Sequence, residues 1–291
     1  MEQKIKQPLM IKNQSGISLI EIMLAIALSA LVVAALLMNL SSSAKTNSLQ
    51  REYASMLEEG QYALSIMSNT IMSAGFMPQT EVDPGEVVRK RFPYIQGCSN
   101  WAFNGSAAWT VNSTDWGEAD DWGTLGAALC GASEGAASAA NDAIAVRTID
   151  GSFECSGGGV TALKMDGESI NVASSYLSVQ GGVLKCGTQA IAPVEQVRFW
   201  YGEGSWVNSP EDAAIQLINT TPTSYRTADQ VDDWRLVSSV RICLLVKSRN
   251  PVNVAGNTGN QTCDGTSIAD DNFLYRTLFT TVDIPNVGNG F

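Results

Sequence analysis

Residues 22–38 constrain the fold of this chain more than any other stretch. From Ile22 to Met38 no side chain is charged, and Ser29 alone is polar. At ~1.5 Å per residue these seventeen residues make a helix of about 25 Å, near the lower limit for crossing a bilayer. Glu21 stands at the head of the run. An ionised carboxylate inside a bilayer costs roughly 2.5–3.5 kcal/mol on insertion scales. Such a charge is retained where it has a dedicated partner, which makes Glu21 a candidate functional residue. Lys4, Lys6 and Lys12 precede the run with only Glu2 against them. The short N-terminal segment is therefore expected to stay cytoplasmic and the remainder to be exported.

A secretory signal peptide carries its small-residue cleavage site after the apolar run. Here the small residue, Gly16, comes before it, and no cysteine near the junction points to a lipoprotein. Ser15-Gly16-Ile17-Ser18-Leu19-Ile20-Glu21 resembles the processing site of type IV prepilins. The resemblance implies that a prepilin peptidase cuts between Gly16 and Ile17, methylates the new amine and leaves the apolar stretch on the mature chain. Glu21 then becomes the fifth mature residue. Ile17 stands where that family usually has Phe. The competing reading is a signal anchor with a chance glutamate. Glycine, glutamate and apolar run falling together at the required spacing weigh against it.

The 291 residues suit one exported domain behind an N-terminal helix, and 45% hydrophobic content supplies a substantial core without a cofactor. The formal charge is −11, and loss of the leader's three Lys and one Glu leaves −13. An acidic chain without a Lys/Arg cluster is a poor direct binder of nucleic acid. Cys98, Cys130, Cys155, Cys186, Cys243 and Cys263 include no C-x-x-C pair and, outside the cytoplasm, read as a disulfide set. The sequential pairing Cys98–Cys130, Cys155–Cys186 and Cys243–Cys263 is expected, because each pair brackets a Gly/Asn-rich or hairpin-like stretch.

Beyond Leu40 the apolar residues Leu49, Tyr53, Met56, Gly60, Leu64, Met67, Ile71 and Ala74 recur at helical spacing. No proline interrupts Ile17 to Phe76, and Gly75 followed by Pro78 is a fitting stop. Downstream, strands are expected at Asp142–Thr148, Val160–Lys164, Tyr176–Gln180 with Val183–Cys186, Val194–Tyr201, Leu236–Lys247 and Phe273–Ile284. Gly181-Gly182 reads as a hairpin turn. Val240, Ile242, Leu244 and Val246 alternate with Arg241, Cys243, Leu245 and Lys247, as in a half-buried strand. An antiparallel sheet laid on the amphipathic helix gives an α+β head. The expected division is a leader over 1–16, a membrane or filament-core half-helix over 17–40, an amphipathic half-helix over 41–75 and a disulfide-bonded head over 76–291.

Glu59-Gly60-Gln61-Tyr62-Ala63-Leu64, Ala74-Gly75-Phe76, Arg241-Ile242-Cys243-Leu244-Leu245-Val246 and Tyr275-Arg276-Thr277-Leu278-Phe279-Thr280-Thr281 resemble recurring segments of PilW-type minor pilins. The resemblance covers the N-terminal helix and the C-terminal strands, and it implies a pilin-like fold. It further implies a filament subunit whose helices form a hydrophobic core. In that core the Glu21 carboxylate meets the new ammonium at the Ile17 position of a neighbour. The partners implied are prepilin peptidase, other minor pilins, the major pilin and a large tip adhesin. The location implied is the inner membrane, with the head in the periplasm, and then the pilus, at its tip. The minor pseudopilin of type II secretion has a similar plan.

The chain contains no histidine, which removes Ser-His-Asp and Cys-His catalysis and His-ligated zinc. Gly157-Gly158-Gly159 lacks the Gly-Lys-Ser/Thr ending of a phosphate loop. Asp120-Asp121, Asp232-Asp233 and Asp270-Asp271 read as solvated loop acids rather than a glycosidase pair. A membrane-anchored binding module or glycosidase is the rival of another class. No cofactor or metal is expected. Asp264, Asp270, Asp271 and Asn272 could gather round calcium, although EF-hand spacing is absent. Trp101, Trp109, Trp116 and Trp122 crowd between Cys98 and Cys130. They read as the small core of a disulfide-closed excursion, with a partner surface as the sharper alternative.

Overall fold

The computed structural model describes residues 18–75, 94–99, 141–149, 160–165, 168–208, 216–252, 261–268 and 271–285. The chain divides into two compact units, Met1–Arg51 and Glu52–Phe291. Helix α1, Leu19–Met72, begins in the first unit and ends in the second. In the first unit the polar side chains stay within the helix: Ser29 donates to the Ile26 carbonyl at 2.9 Å and Thr46 to that of Ser42 at 3.0 Å.

Within the second unit α1 buries Met56, Gly60, Ala63, Met67, Thr70 and Ile71, steps of three and four that define one helical face. The Thr70 hydroxyl donates to the Ile66 carbonyl at 2.8 Å, so its burial leaves no donor unmet. Two residues of the expected stripe fall outside this face. Tyr53 is exposed and Leu49 half-buried, while the small residue Ala63 joins the core instead. At Gly60 the helix approaches the strands closely, since an added Cβ would fall 2.6 Å from Leu278 Cδ1 and 3.1 Å from Val246 Cγ1. The roughly 1 kcal/mol that glycine costs inside a helix is offset by that contact. α1 stops three residues short of Gly75, which takes φ 71° and donates its N–H to the Arg147 carbonyl at 2.9 Å.

One antiparallel sheet on the helix is the expectation; two form. The first contains β1 (Ile95–Cys98), β2 (Ala143–Ile149), β3 (Val160–Met165), β4 (Glu168–Gln180), β5 (Val183–Cys186) and β6 (Gln189–Pro193). Its order is β1-β2-β4-β5-β6, with β3 also paired to β4. The second contains β7 (Gln196–Asn208), β8 (Gln216–Arg226), β9 (Val237–Lys247) and β10 (Tyr275–Asp283), in the order β10-β9-β7-β8. The split falls after Pro193, whose missing N–H ends β6, and β7 pairs with β9 instead. Strands β1, β6 and β8 were not expected. Each is short or polar, and β8 carries Pro222 at the edge of its sheet, where proline is tolerated.

Strand β9 departs from the half-buried pattern. Cys243 and Leu245 are as buried as Ile242 and Leu244, and only Arg241 is exposed. The outer face is closed over Cys243 by its disulfide to Cys263, with Cα atoms 5.8 Å apart across 20 residues. The inner faces of both sheets and the buried face of α1 meet in one core, which includes Met67, Ile71, Ile144, Val146, Leu177, Leu184, Phe199, Tyr201, Ile242 and Leu244.

The sheets are also joined by polar chemistry. β8 pairs with β7 only from Tyr201 onward, so among the described residues no strand is paired with the other edge of β7 at 197–199. Side chains take that place: Val197 N–H donates to Asn141 Oδ1 at 2.7 Å and Phe199 N–H to Asp142 Oδ2 at 3.0 Å. Asp142 N–H returns a bond to the Val197 carbonyl at 3.0 Å. The other Asp142 oxygen accepts from Arg198 at 2.7 Å, and Arg198 also binds Asp264, next to Cys263. Burial by itself would lower the Arg198 guanidinium. The hydrogen bond to Asp264 and the charge of Asp142 outweigh it, and its pKa rises.

Candidate functional site

The apolar half of α1 is the first candidate. Ser18 begins the helix, its carbonyl accepting from Glu21 N–H at 3.0 Å and Ile22 N–H at 3.3 Å. Glu21 therefore lies in the first turn, where the helix dipole favours a negative charge. Every residue from Ser18 to Ser48 is exposed. Leu24, Leu31 and Leu36 expose 61%, 67% and 57% of their surface, which a monomer in water does not leave uncovered. The helix is long and apolar enough to cross a membrane. Among the described residues Glu21 makes no salt bridge. The arrangement presents a rod of apolar side chains headed by one carboxylate, suited to a lipid or helical partner.

Gly16 and Ile17, the expected processing site, lie outside the described residues, as do Cys130, Cys155, Trp101, Trp109, Trp116 and Trp122. Cys98 and Cys186 are both disulfide-bonded. Of the acids weighed for chemistry, Asp120, Asp121 and Asp270 lie outside the described residues, and the others are engaged separately. Asp232 pairs with Arg226 and Asp233 with Arg235. Asp264 binds Arg198, whereas Asp271 accepts from Lys247 at 3.2 Å and from the Tyr275 hydroxyl at 2.6 Å. That hydroxyl bond, together with Lys247, holds the Asp271 carboxyl below its usual range. Asp264 and Asp271 thus spend their oxygens on protein donors, and among the described residues no cluster of acids is arranged to hold a metal.

A second candidate was not foreseen from the sequence. On the outer face of the four-stranded sheet, Trp200, Arg241 and Thr281 form a row in register across β7, β9 and β10. Tyr225, Phe279, Thr280 and Cys263 complete a groove of about 750 Å³. Tyr225 lies across Gly202 and Ser239, where a Cβ on Gly202 would come within 2.3 Å of Ser239 Oγ and 3.2 Å of Tyr225 Cε1. Arg241 stacks on Tyr225, 4.4 Å from the ring centroid. Alternation along β9 places Arg241 off the core. Its assembly with Trp200 and Phe279 depends on strand register between distant segments.

Two family matches lie on the chain. Residues 11–37 match the prokaryotic N-terminal methylation motif, and residues 156–286 match the Type IV Pilus-assembly protein W family, PilW. The first match spans Gly16, Ile17 and Glu21, and with the α+β fold it defines a protein of the type IV pilin class. Within that class the two matches together support a type IV pilus minor pilin of the PilW type. No curated protein matches the chain. Among solved structures the chain is similar to the type IV-like pilin TTHA1219 from Thermus thermophilus, at 13% identity and a TM-score of 0.36. That alignment covers 79% of this chain and 97% of the other. The assignment rests on the family matches and not on that likeness.

Proposed function

We propose that this chain is a structural, non-catalytic subunit that helps to initiate or cap a type IV pilus. Prepilin peptidase removes residues 1–16, and the mature protein waits in the inner membrane with its head outside the cytoplasm. Other minor pilins, the major pilin and a large tip adhesin are its partners, and the filament tip is its final position. The observation that carries this reading is the exposed apolar half of α1, headed by Glu21, in a chain matching the methylation motif. In a filament core those side chains meet helices of neighbouring subunits. The Glu21 carboxylate then faces the N-terminal ammonium of a neighbour. Desolvation makes either ion costly alone, so their pairing sets the register of insertion.

Replacing Glu21 by alanine tests the reading. The residue lies in the first unit, so the Glu21→Ala protein is expected to reach the membrane with its disulfides intact. An unpaired buried ion costs several kcal/mol, and about 1.4 kcal/mol is already tenfold. Content in sheared pili at equal expression should therefore fall by about tenfold or more. Equal incorporation would contradict the pairing and favour a plain membrane anchor.

A further inference from the structure

We propose that the groove on the outer face of the four-stranded sheet binds a saccharide unit bearing a single carboxylate. The inference rests on the pilus reading only for its setting, an exported head that meets glycans outside the cell. The groove lies on the face opposite that packed on residues 52–72 of α1, because Trp200, Arg241 and Thr281 alternate with the core residues Phe199, Ile242 and Val282.

The chemistry of the lining selects the ligand. Its volume, about 750 Å³, lies in the range of small-molecule sites. Trp200, Tyr225 and Phe279 supply three rings, and Phe279 is 61% exposed, an unusual state for a phenylalanine on a sheet face. Ring faces carry partial negative charge and accept the weakly positive C–H faces of a sugar. Thr281, on the groove face beside Arg241, offers a hydroxyl that both donates and accepts. Of the described residues that line the groove, Arg241 is the single cation and none carries a carboxylate. Among the described residues Arg241 makes no salt bridge.

Charge complementarity then fixes the occupant. A guanidinium unopposed in a chain of net charge −11 marks a place for a negative group. Stacking on Tyr225 restrains its planar fork, which matches a carboxylate in two parallel hydrogen bonds. The same net charge repels polyanions, so nucleic acids and polyuronates are disfavoured and one isolated carboxylate is favoured. An acidic sugar unit supplies the carboxylate, the C–H face and the hydroxyls together.

Titration calorimetry on the purified full-length protein in detergent tests this with two matched pairs: cellobiouronic acid against cellobiose, and 3′-sialyllactose against lactose. At least one acidic sugar should bind saturably and about tenfold more tightly than its neutral counterpart. Arg241→Gln should erase that preference, and Phe279→Ala should weaken binding of both members of the pair. Both side chains are exposed, so thermal unfolding should stay unchanged and serves as the control for folding. Equal binding of acidic and neutral sugars, no saturable binding at millimolar concentration, or retention of the preference in Arg241→Gln would each overturn the proposal. If Arg241→Gln blocks entry into sheared pili while no sugar binds, the groove is a subunit interface; the saccharide proposal fails and the pilus reading stands. Sugar binding by a chain that never enters pili would leave the groove's assignment intact and remove its setting.

Discussion

Replacing Gly97 with alanine is expected to destabilise the head by about 3 kcal/mol, at the upper end of ordinary overpacking. An added Cβ would sit 1.8 Å from the Tyr201 hydroxyl oxygen and 2.4 Å from its Cζ. Tyr201 cannot yield, because its ring is fully buried and meets Trp234 edge-on at 4.7 Å. For a unit of this size about 3 kcal/mol lowers the melting temperature by roughly 6–12 °C. The Tyr201 hydroxyl has no hydrogen-bond partner among the described residues, and burial drives its pKa well above the ordinary phenol value. Tyr201→Phe therefore removes an unmet polar atom and should leave stability unchanged or raise it. It should also rescue Gly97→Ala in part, since the 1.8 Å clash disappears and the 2.4 Å contact with the ring remains. Additive effects in the double variant would show that the two residues do not touch as described.

Asp142→Ala should have an effect of similar size for a different reason. Removing one partner of a buried ion pair costs roughly 3–5 kcal/mol, since the remaining charge is stranded. Arg198 keeps Asp264 as a second partner, which reduces that cost. The Phe199 N–H loses its acceptor, which adds about 1–3 kcal/mol. A net loss of about 3 kcal/mol is expected. Asp142→Asn keeps an acceptor for Phe199 and should lose much less. Urea unfolding with an unchanged m-value separates a loss of stability from a change in compactness. If alanine and asparagine behave alike, Asp142 is not the joint between the sheets.

The contrast between these residues and the N-terminal helix marks what the sequence makes legible. The apolar run, Glu21 and the stop at Gly75 are local features, set by composition and spacing within a few turns. Strand β9 announces itself by alternation for the same reason. Its burial on both faces does not, because Cys263 covers Cys243 from 20 residues away. Ala63 and Thr70 are too small or too polar to stand out, yet they lie where α1 meets the strands. Tyr53 fits the helical period but falls before the first buried residue, Met56. Strand β8 stays hidden because an edge strand needs no apolar alternation. Asp142 reads as the first residue of a strand, and its role as a joint depends on the β7 residues 197–199 brought beside it. The groove is set by register among β7, β9 and β10, which no short window contains.

The central claim is that residues 17–40 are kept on the mature chain as an assembly helix and not discarded as a signal. The most direct measurement is the intact mass and N-terminal sequence of the protein purified from the cell envelope. The expected result is a chain beginning at Ile17 with one methyl group on its amine, and accumulation of the uncut precursor in Gly16→Arg. A mature chain that retains residues 1–16, or one cut beyond Leu40, would contradict it.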